Sequence, residues 1–144
     1  MDRKSLILLI SQLLLVGFIL LSGPLLIKNI PFLLVQFFGF LLIIWALLAK
    51  QVNTHKNEGH LPKGGFLVMK GPYEIIRHPI YAGMLLVMSG SVQGYSEFFR
   101  YIAFLLLIVA TIVKMNHEEK LLEKHSANYV AYTAKTHKLI PYFY

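Results

Sequence analysis

Four apolar runs separated by polar segments dominate the chain. They cover residues 6–27, 29–49, 80–96 and 101–113. A helix needs about 20 apolar residues to cross the hydrocarbon core of a bilayer, and the first two runs have that length. The last two are shorter and predict a tight helical hairpin, in which the long side chains of Arg100 and Lys114 reach toward water. The pattern predicts membrane helices near residues 5–22, 30–49, 79–94 and 98–114.

Two polar segments lie outside these runs. Residues 50–78 are rich in Lys, His and Gly and predict a loop. Residues 115–135 are charged but carry Leu121, Leu122 and Tyr129, a pattern that predicts an amphipathic helix leaving the membrane. The predicted fold is therefore all-α: a single polytopic membrane domain of about four membrane helices plus a cytoplasmic C-terminal helix.

The composition agrees with a membrane protein and argues against a soluble domain. Of 144 residues, 56% are hydrophobic and 15% are charged. A soluble domain this small cannot bury that much apolar surface. The net charge of +7 does not indicate nucleic-acid binding, because the charges lie between apolar runs and form no continuous basic face. Cysteine is absent, which excludes disulfides and thiolate metal sites.

The basic residues predict the orientation of the helices. With four spans, all of the 14 Lys and Arg residues except Lys28 and Arg100 fall on one side of the membrane. Basic residues near membrane helices favour the cytoplasmic side, so both termini are expected to be cytoplasmic. The amino terminus imitates a secretory signal, but Ser22-Gly23-Pro24 is a poor cleavage site, which predicts an uncleaved first helix.

The segment GPYEIIRHPIYAG, residues 71–83, holds the densest group of candidate functional residues. Gly71-Pro72 predicts a turn. Pro79 suits the first position of a helix, because its missing N–H costs nothing there, and His78 becomes the cap. The free N–H groups and the positive dipole end of such a helix favour a carboxylate or a phosphate.

Three neighbours of His78 add to this candidate site. Arg77 precedes the cap and supplies a cation. Tyr81 lies three residues after His78 and shares its face of the helix. Gly83 lets a flat ligand or another helix approach the backbone. One helix start thus offers a cation, an imidazole, a phenol and a bare patch of backbone.

A second candidate segment, HEEKLLE at residues 117–123, directly follows the fourth apolar run. Glu119 and Glu123 are like charges four residues apart, as are Lys120 and Lys124, and an isolated helix gains nothing from either pair. An unpaired carboxylate at the edge of the membrane is costly. We therefore expect a partner that neutralises at least one of these carboxylates.

Together the two segments resemble the isoprenylcysteine carboxyl methyltransferase and phospholipid methyltransferase superfamily of membrane enzymes. The pattern GPYxxxRHPxYxG is followed by a last membrane segment and EExxL, in the order typical of that superfamily. The similarity covers roughly residues 67–141 and includes YVAY at 129–132 and IP at 140–141. The chain departs from the pattern at residues 125–126, where HS replaces the usual FG, and this departure affects the substrate more than the cofactor.

The resemblance implies that these motifs bind S-adenosylmethionine and that the protein methylates a lipid-like or apolar acceptor. The cofactor-binding residues that it implies are Gly71, Pro72, Tyr73, His78, Pro79, Tyr81, Gly83, Glu118 and Glu119. Glu118 or Glu119 would hold the amino group of the cofactor, without a choice between them. The catalytic residues are expected to be Arg77, which would orient a carboxylate, and Glu119.

The chemistry needs little from the protein, because the sulfonium already carries an activated methyl group and catalysis is mostly alignment. The acceptor can be a prenylated cysteine carboxylate, a phospholipid amine, a thiol or a small hydrophobic metabolite. A carboxylate needs no base. An amine or a thiol needs a proton removed, by His78, Glu119 or Tyr81.

Two other hypotheses stay open at this point. Membrane sterol reductases resemble the same fold and would bind NADPH in the corresponding pocket. A non-enzymatic membrane subunit or small transporter would tolerate substitutions in both motifs, although the first two spans carry no charge. A metal site is not expected, because the spacings of His55, His60, His117 and His125 match no compact ligand set.

Overall fold

A computed structural model shows the protein as a bundle of helices. It describes residues 3–24, 27–56, 68–95, 97–125 and 128–141. The helices are α1 (Arg3–Leu21), α2 (Ile30–Lys56), α3 (Pro79–Gly94), α4 (Phe98–His125) and α5 (Asn128–Thr133), and a 3₁₀ turn covers Gly71–Glu74. No strand occurs in the described residues, and the prediction of an all-α fold is confirmed.

Within the described part of the chain, three helices are long and apolar enough to cross a membrane. The qualifying stretches are Arg3–Leu21, Ile30–Gln51 and Phe98–Lys124. Few residues in the first two are buried, and Leu14, Phe38 and Leu105 are examples of large side chains that α1, α2 and α4 expose. An exposed apolar surface of this extent suits lipid and not water. The third helix, α3, has 16 residues and is shorter than these three.

The chain after the last apolar run differs from the prediction. A separate amphipathic helix was expected over residues 115–135, but α4 continues without a break from Phe98 to His125, and only the short α5 follows. The polarity changes sharply at Lys114, yet no Gly or Pro lies there to end the helix. Likewise α2 runs on to Lys56, into the segment predicted as a loop; residues 57–67 of that loop lie outside the described part of the chain.

The helices pack in two close pairs, α2 with α3 and α1 with α4. In the first pair, a Cβ atom added to Gly83 would lie 2.7 Å from the carbonyl oxygen of Gly39, and one added to Gly39 would lie 2.8 Å from that of Gly83. Only glycine allows two backbones to come this close. Between the pairs, Ile19 of α1, Val87 of α3 and Leu107 of α4 belong to one buried apolar cluster.

Two buried hydrogen bonds join the helices inside the apolar region. The Gln12 side-chain amide of α1 donates to the Thr111 hydroxyl of α4 at 2.9 Å. The Gln36 amide of α2 donates to the Ser91 hydroxyl of α3 at 2.7 Å. Polar side chains in lipid need such partners, and each bond fixes the register of one helix pair.

Arg100 ties three helices together at the end of the bundle opposite the motif of residues 71–83. Its guanidinium is buried and donates to the carbonyl oxygens of Ile19 at 2.7 Å and Ser91 at 2.8 Å, and to the Ser22 hydroxyl at 3.0 Å. Ile19 and Ser91 lie in the last turns of α1 and α3, where carbonyl groups lack helical partners and the dipole is negative. A buried cation is stabilised there.

Candidate functional site

The motif of residues 71–83 begins with a turn that only glycine makes easily. Gly71 has a φ of +64°, in the left-handed region, and a Cβ atom there would lie 3.2 Å from the Ala49 side chain on α2. Residues Gly71–Glu74 then form the 3₁₀ turn. As predicted from the sequence, His78 caps α3 and Pro79 is its first residue.

A C-terminal segment, residues 134–141, runs alongside this motif and pairs with its backbone. The His137 N–H donates to the Ile75 carbonyl at 3.0 Å, and the His137 carbonyl accepts from the Arg77 N–H at 2.8 Å. The His78 N–H donates to the Lys138 carbonyl at 3.2 Å. These bonds satisfy the main chain just before α3 and hold the motif against the C-terminal segment.

Glu119 of α4 is the centre of a buried ion cluster. Its Oε1 accepts from Arg77 Nε at 2.8 Å and lies 3.2 Å from His78 Nε2, while its Oε2 lies 3.0 Å from Lys138 Nζ. Lys138 Nζ also donates to Asn116 Oδ1 at 2.8 Å. Both oxygens of this carboxylate are therefore occupied by side chains of the protein itself.

The remaining bonds of Arg77 lead back to the C-terminal part of the chain. Its Nη1 donates to the carbonyl oxygens of Thr133 and Thr136. Glu119 and these carbonyls together hold the guanidinium in a fixed orientation. Arg77 thus joins α4, α5 and the C-terminal segment, in addition to any role toward a ligand.

Glu118, the neighbour of Glu119, has different partners. The Tyr81 hydroxyl donates to Glu118 Oε1 at 3.0 Å, and Lys114 Nζ lies 3.7 Å from the same oxygen. Lys114 Nζ also lies 5.9 Å from the centre of the Tyr81 ring, and that ring stacks on the His78 imidazole. About a third of the Glu118 side chain stays accessible, so this carboxylate has room for another donor.

A polar cavity of about 300 Å³ lies between the start of α3, the polar end of α4 and α5. Its lining includes one carboxylate, two cations, one imidazole and four phenols. These residues are Glu118, Lys50, Arg77, His78, Tyr73, Tyr81, Tyr129 and Tyr132. Such a lining offers partners for an amino group, for a carboxylate and for a flat or cationic group on an aromatic face.

The tyrosines of this cavity are held in their neutral form. Burial raises the pKa of Tyr132 to about 12, and it also raises the pKa of Tyr73 and of Tyr129 above the usual 10.0. The Tyr132 hydroxyl donates to the Tyr73 carbonyl oxygen at 2.6 Å. Tyr129 lines the cavity, and its hydroxyl is buried without a hydrogen-bond partner among the described residues.

A second cavity of about 500 Å³ is almost wholly apolar. Side chains of α2, α3, α4 and the C-terminal segment line it, among them Leu42, Trp45, Leu86, Phe104 and Ile140. The motif borders both cavities, because Tyr73, Arg77 and His78 line the polar one whereas Pro72, Ile75 and Ile76 line the apolar one. The same short segment therefore forms a wall of both.

The sequence-predicted site residues divide into two groups. Five line the polar cavity: Tyr73, Arg77, His78, Tyr81 and Glu118. The other five do not: Gly71, Pro72, Pro79, Gly83 and Glu119. In that second group, Gly83 lies against α2, Pro72 lines the apolar cavity, and Glu119 is enclosed by its ion partners.

Several cavity residues were not among the predicted site residues. The sequence did point to Tyr129 and Tyr132, because both belong to the YVAY motif that the chain shares with the methyltransferase superfamily. Lys50 had no such signal, and neither did Lys138, which belongs to the ion cluster of Glu119 and not to the cavity lining; both are single basic residues that a positive-inside pattern already explains. Among the described residues, no three His, Asp or Glu side chains lie close enough to hold a metal ion.

Apolar helices of this length and exposure indicate an integral membrane protein. A family model described as phospholipid methyltransferase matches residues 32–128, which is more than half of the chain. The chain belongs to this family, and it is therefore a membrane methyltransferase of the group that also includes the isoprenylcysteine carboxyl methyltransferases. The match gives no support to a reductase or to a non-enzymatic subunit. No match was found among curated proteins or among solved structures.

Proposed function

We propose that the protein transfers a methyl group from S-adenosylmethionine to the polar end of a lipid-like acceptor at the cytoplasmic edge of the membrane. The cofactor occupies the polar cavity, and the hydrocarbon part of the acceptor occupies the apolar one. In this proposal α3 is a fourth membrane helix, and both termini are cytoplasmic. Its 16 residues correspond to about 24 Å of rise, which is short for a full span and is accommodated by local thinning of the bilayer.

The charge distribution supports this orientation. Lys50, Arg77, Lys114 and Lys138 all lie at the end of the bundle that holds the polar cavity. Arg100 lies at the other end and is buried among helix ends, so it is not an anchor to a lipid surface. The bias of basic residues near membrane helices toward the cytoplasm supports a cytoplasmic position for the cavity.

The unpartnered Tyr129 hydroxyl is the observation that carries the cofactor proposal. A buried hydroxyl without a hydrogen bond costs free energy, and a ligand in the polar cavity supplies the missing acceptor. Around the same cavity, Glu118 suits an amino group and Lys50 or Arg77 suits a carboxylate. The faces of the tyrosine rings suit a sulfonium and an adenine. The donor set thus fits an amino-acid nucleoside sulfonium.

The cofactor, once bound, supplies an electrophilic methyl group, and the protein aligns it with the acceptor. The Arg77–Glu119 pair fixes the cavity wall. An acceptor that must lose a proton, an amine or a thiol, finds the Tyr81 hydroxyl and Glu118 Oε1 in the cavity, where Glu118 takes up the proton. Glu119 is less suited to this role, because both of its oxygens are engaged.

The test is calorimetric titration of the purified protein with S-adenosylhomocysteine, for the wild type and two variants. Tyr129→Phe removes the unpartnered hydroxyl, and we expect it to weaken binding roughly threefold to tenfold, the usual value of one hydrogen bond. Glu118→Gln removes a charged acceptor and is expected to weaken binding roughly tenfold to a hundredfold.

Two controls separate binding from folding. Glu123→Gln changes an exposed carboxylate on the same helix, outside the cavity lining, and should bind as the wild type does. Without ligand, Tyr129→Phe should be at least as stable as the wild type, because it buries no unsatisfied hydroxyl. Unchanged affinity in both Tyr129→Phe and Glu118→Gln, with a wild type that binds, would refute this assignment of the cavity.

A further inference from the structure

We infer that residues 139–141 of the C-terminal segment select the hydrocarbon chain of the acceptor by size. The inference rests on the proposed function and deepens it, since it names the element that sets the substrate range. One hydrocarbon chain occupies the apolar cavity, and residues 139–141 discriminate between hydrocarbon chains by their length.

The first observation is the position of these residues. Leu139, Ile140 and Pro141 all line the apolar cavity, opposite side chains of the membrane helices such as Leu42 and Phe104. Ile140 keeps half of its surface exposed, so it forms part of the cavity wall without being part of the packed core. Its size can therefore change the cavity without removing support from the bundle.

The second observation is that the segment cannot move away from the cavity on its own. The His137 N–H donates to the Ile75 carbonyl, and the His137 carbonyl accepts from the Arg77 N–H. The Lys138 ammonium group contacts Glu119 and Asn116. A wall discriminates by size only if it is held in place. These anchors lie two and three residues before Ile140 and therefore fix its position relative to the motif.

The third observation concerns what occupies the cavity. Nearly all of its lining is apolar, and the hydroxyl of Ser89 already donates to the Leu86 carbonyl at 2.8 Å. A headgroup finds no partner there, whereas each methylene that leaves water gains roughly fourfold in binding. The occupant is therefore the hydrocarbon chain of the acceptor, and the polar end of the acceptor lies toward the motif that borders both cavities.

Trp45 provides a direct test, since it is the single tryptophan of the chain and lines the apolar cavity. Alkanols that carry a terminal bromine quench tryptophan on contact. A series of increasing chain length is titrated into the full protein in bromine-free lipid nanodiscs. The proteins compared are the wild type, Ile140→Ala and Ile140→Phe, with Val130→Ala and Val130→Phe as controls. Val130 is an exposed β-branched residue of α5 that lines neither cavity.

We expect Ile140→Phe to weaken binding of the longest alkanols roughly tenfold more than binding of the shortest. We expect Ile140→Ala to shift the binding preference toward longer alkanols. Both Val130 variants should give the profile of the wild type, and all variants should bind S-adenosylhomocysteine equally. Superimposable length profiles for the wild type and both Ile140 variants would overturn the inference. Absence of S-adenosylhomocysteine binding in the wild type would instead remove the proposed function, and with it the description of the bound hydrocarbon as part of a methyl acceptor.

Discussion

The carboxylates of Glu118 and Glu119 are adjacent on α4, yet they have separate partners. Glu118 accepts from the Tyr81 hydroxyl at the polar cavity, whereas Glu119 is enclosed by Arg77, His78 and Lys138. Successive side chains of a helix differ by about 100° in direction, so two neighbouring residues can contact different surroundings. One carboxylate is free to meet a ligand while the other holds the site together.

Glu119→Gln is expected to destabilise the protein by about 1–3 kcal/mol, because it leaves the partly buried charges of Arg77 and Lys138 without their counter-ion. Thermal unfolding in detergent measures this loss. The matched variant Glu118→Gln should unfold close to the wild-type temperature. Equal unfolding temperatures for the two variants would contradict the division of roles.

Gly83→Ala is expected to cost about 1–3 kcal/mol, since the added methyl group would lie 2.6 Å from Ile43 Cγ1 and 2.7 Å from the Gly39 carbonyl oxygen. The control is Gly17→Ala on α1, where nothing lies within 4 Å of the new atom. That substitution should be neutral, or stabilising by up to about 1 kcal/mol through helix propensity. If both alanines have the same effect on unfolding, close packing of α2 on α3 is not what Gly83 provides.

Arg100→Lys should lower the unfolding temperature even though the charge is kept. One ammonium group cannot reach the Ile19 and Ser91 carbonyls and the Ser22 hydroxyl together, and each buried group left without a partner costs about 1–3 kcal/mol. Lys28→Met, at an exposed basic residue, is the control and should change little. A lysine variant as stable as the wild type would show that the three bonds are dispensable.

The stability of the protein should fall at high pH through Tyr132. Its pKa is raised to about 12 from 10.0, and its neutral hydroxyl donates to the Tyr73 carbonyl. Stabilisation from this group is therefore complete below pH 10 and is lost as the pH rises toward 12 and beyond. Thermal unfolding as a function of pH, for the wild type and Tyr132→Phe, isolates this contribution, because other groups titrate equally in both. If the unfolding temperatures of the two proteins fall in parallel as the pH rises, Tyr132 does not cause the loss of stability.

Much of the fold follows from periodicity and composition, because lipid imposes simple rules. The apolar runs predicted the starts of α1 and α2 close to where the structure has them, and Pro79 predicted the start of α3. The end of α4 was missed for a physical reason. A helix is stopped by backbone chemistry and not by a change of solvent, and the stretch from Lys114 to His125 contains no residue that stops it.

The site was predictable only where its residues are close in sequence. The grouping of Arg77, His78 and Tyr81 follows from one helix start, but the choice between Glu118 and Glu119 depends on the rotation of α4 about its axis. That rotation is set by distant contacts such as the hydrogen bond between Gln12 and Thr111. Local patterns do not contain this information.

The unbroken course of α4 has a mechanical consequence. Thr111, fixed to α1 in the apolar region, and Glu118, at the polar cavity, lie on one rod with about 10 Å of rise between them. When bilayer thickness changes, hydrophobic mismatch tilts or shifts such a rod as a whole. A change in bilayer thickness would therefore displace the Glu118 carboxylate together with Thr111, and the proposed cofactor site would change its depth in the membrane with the apolar part of α4.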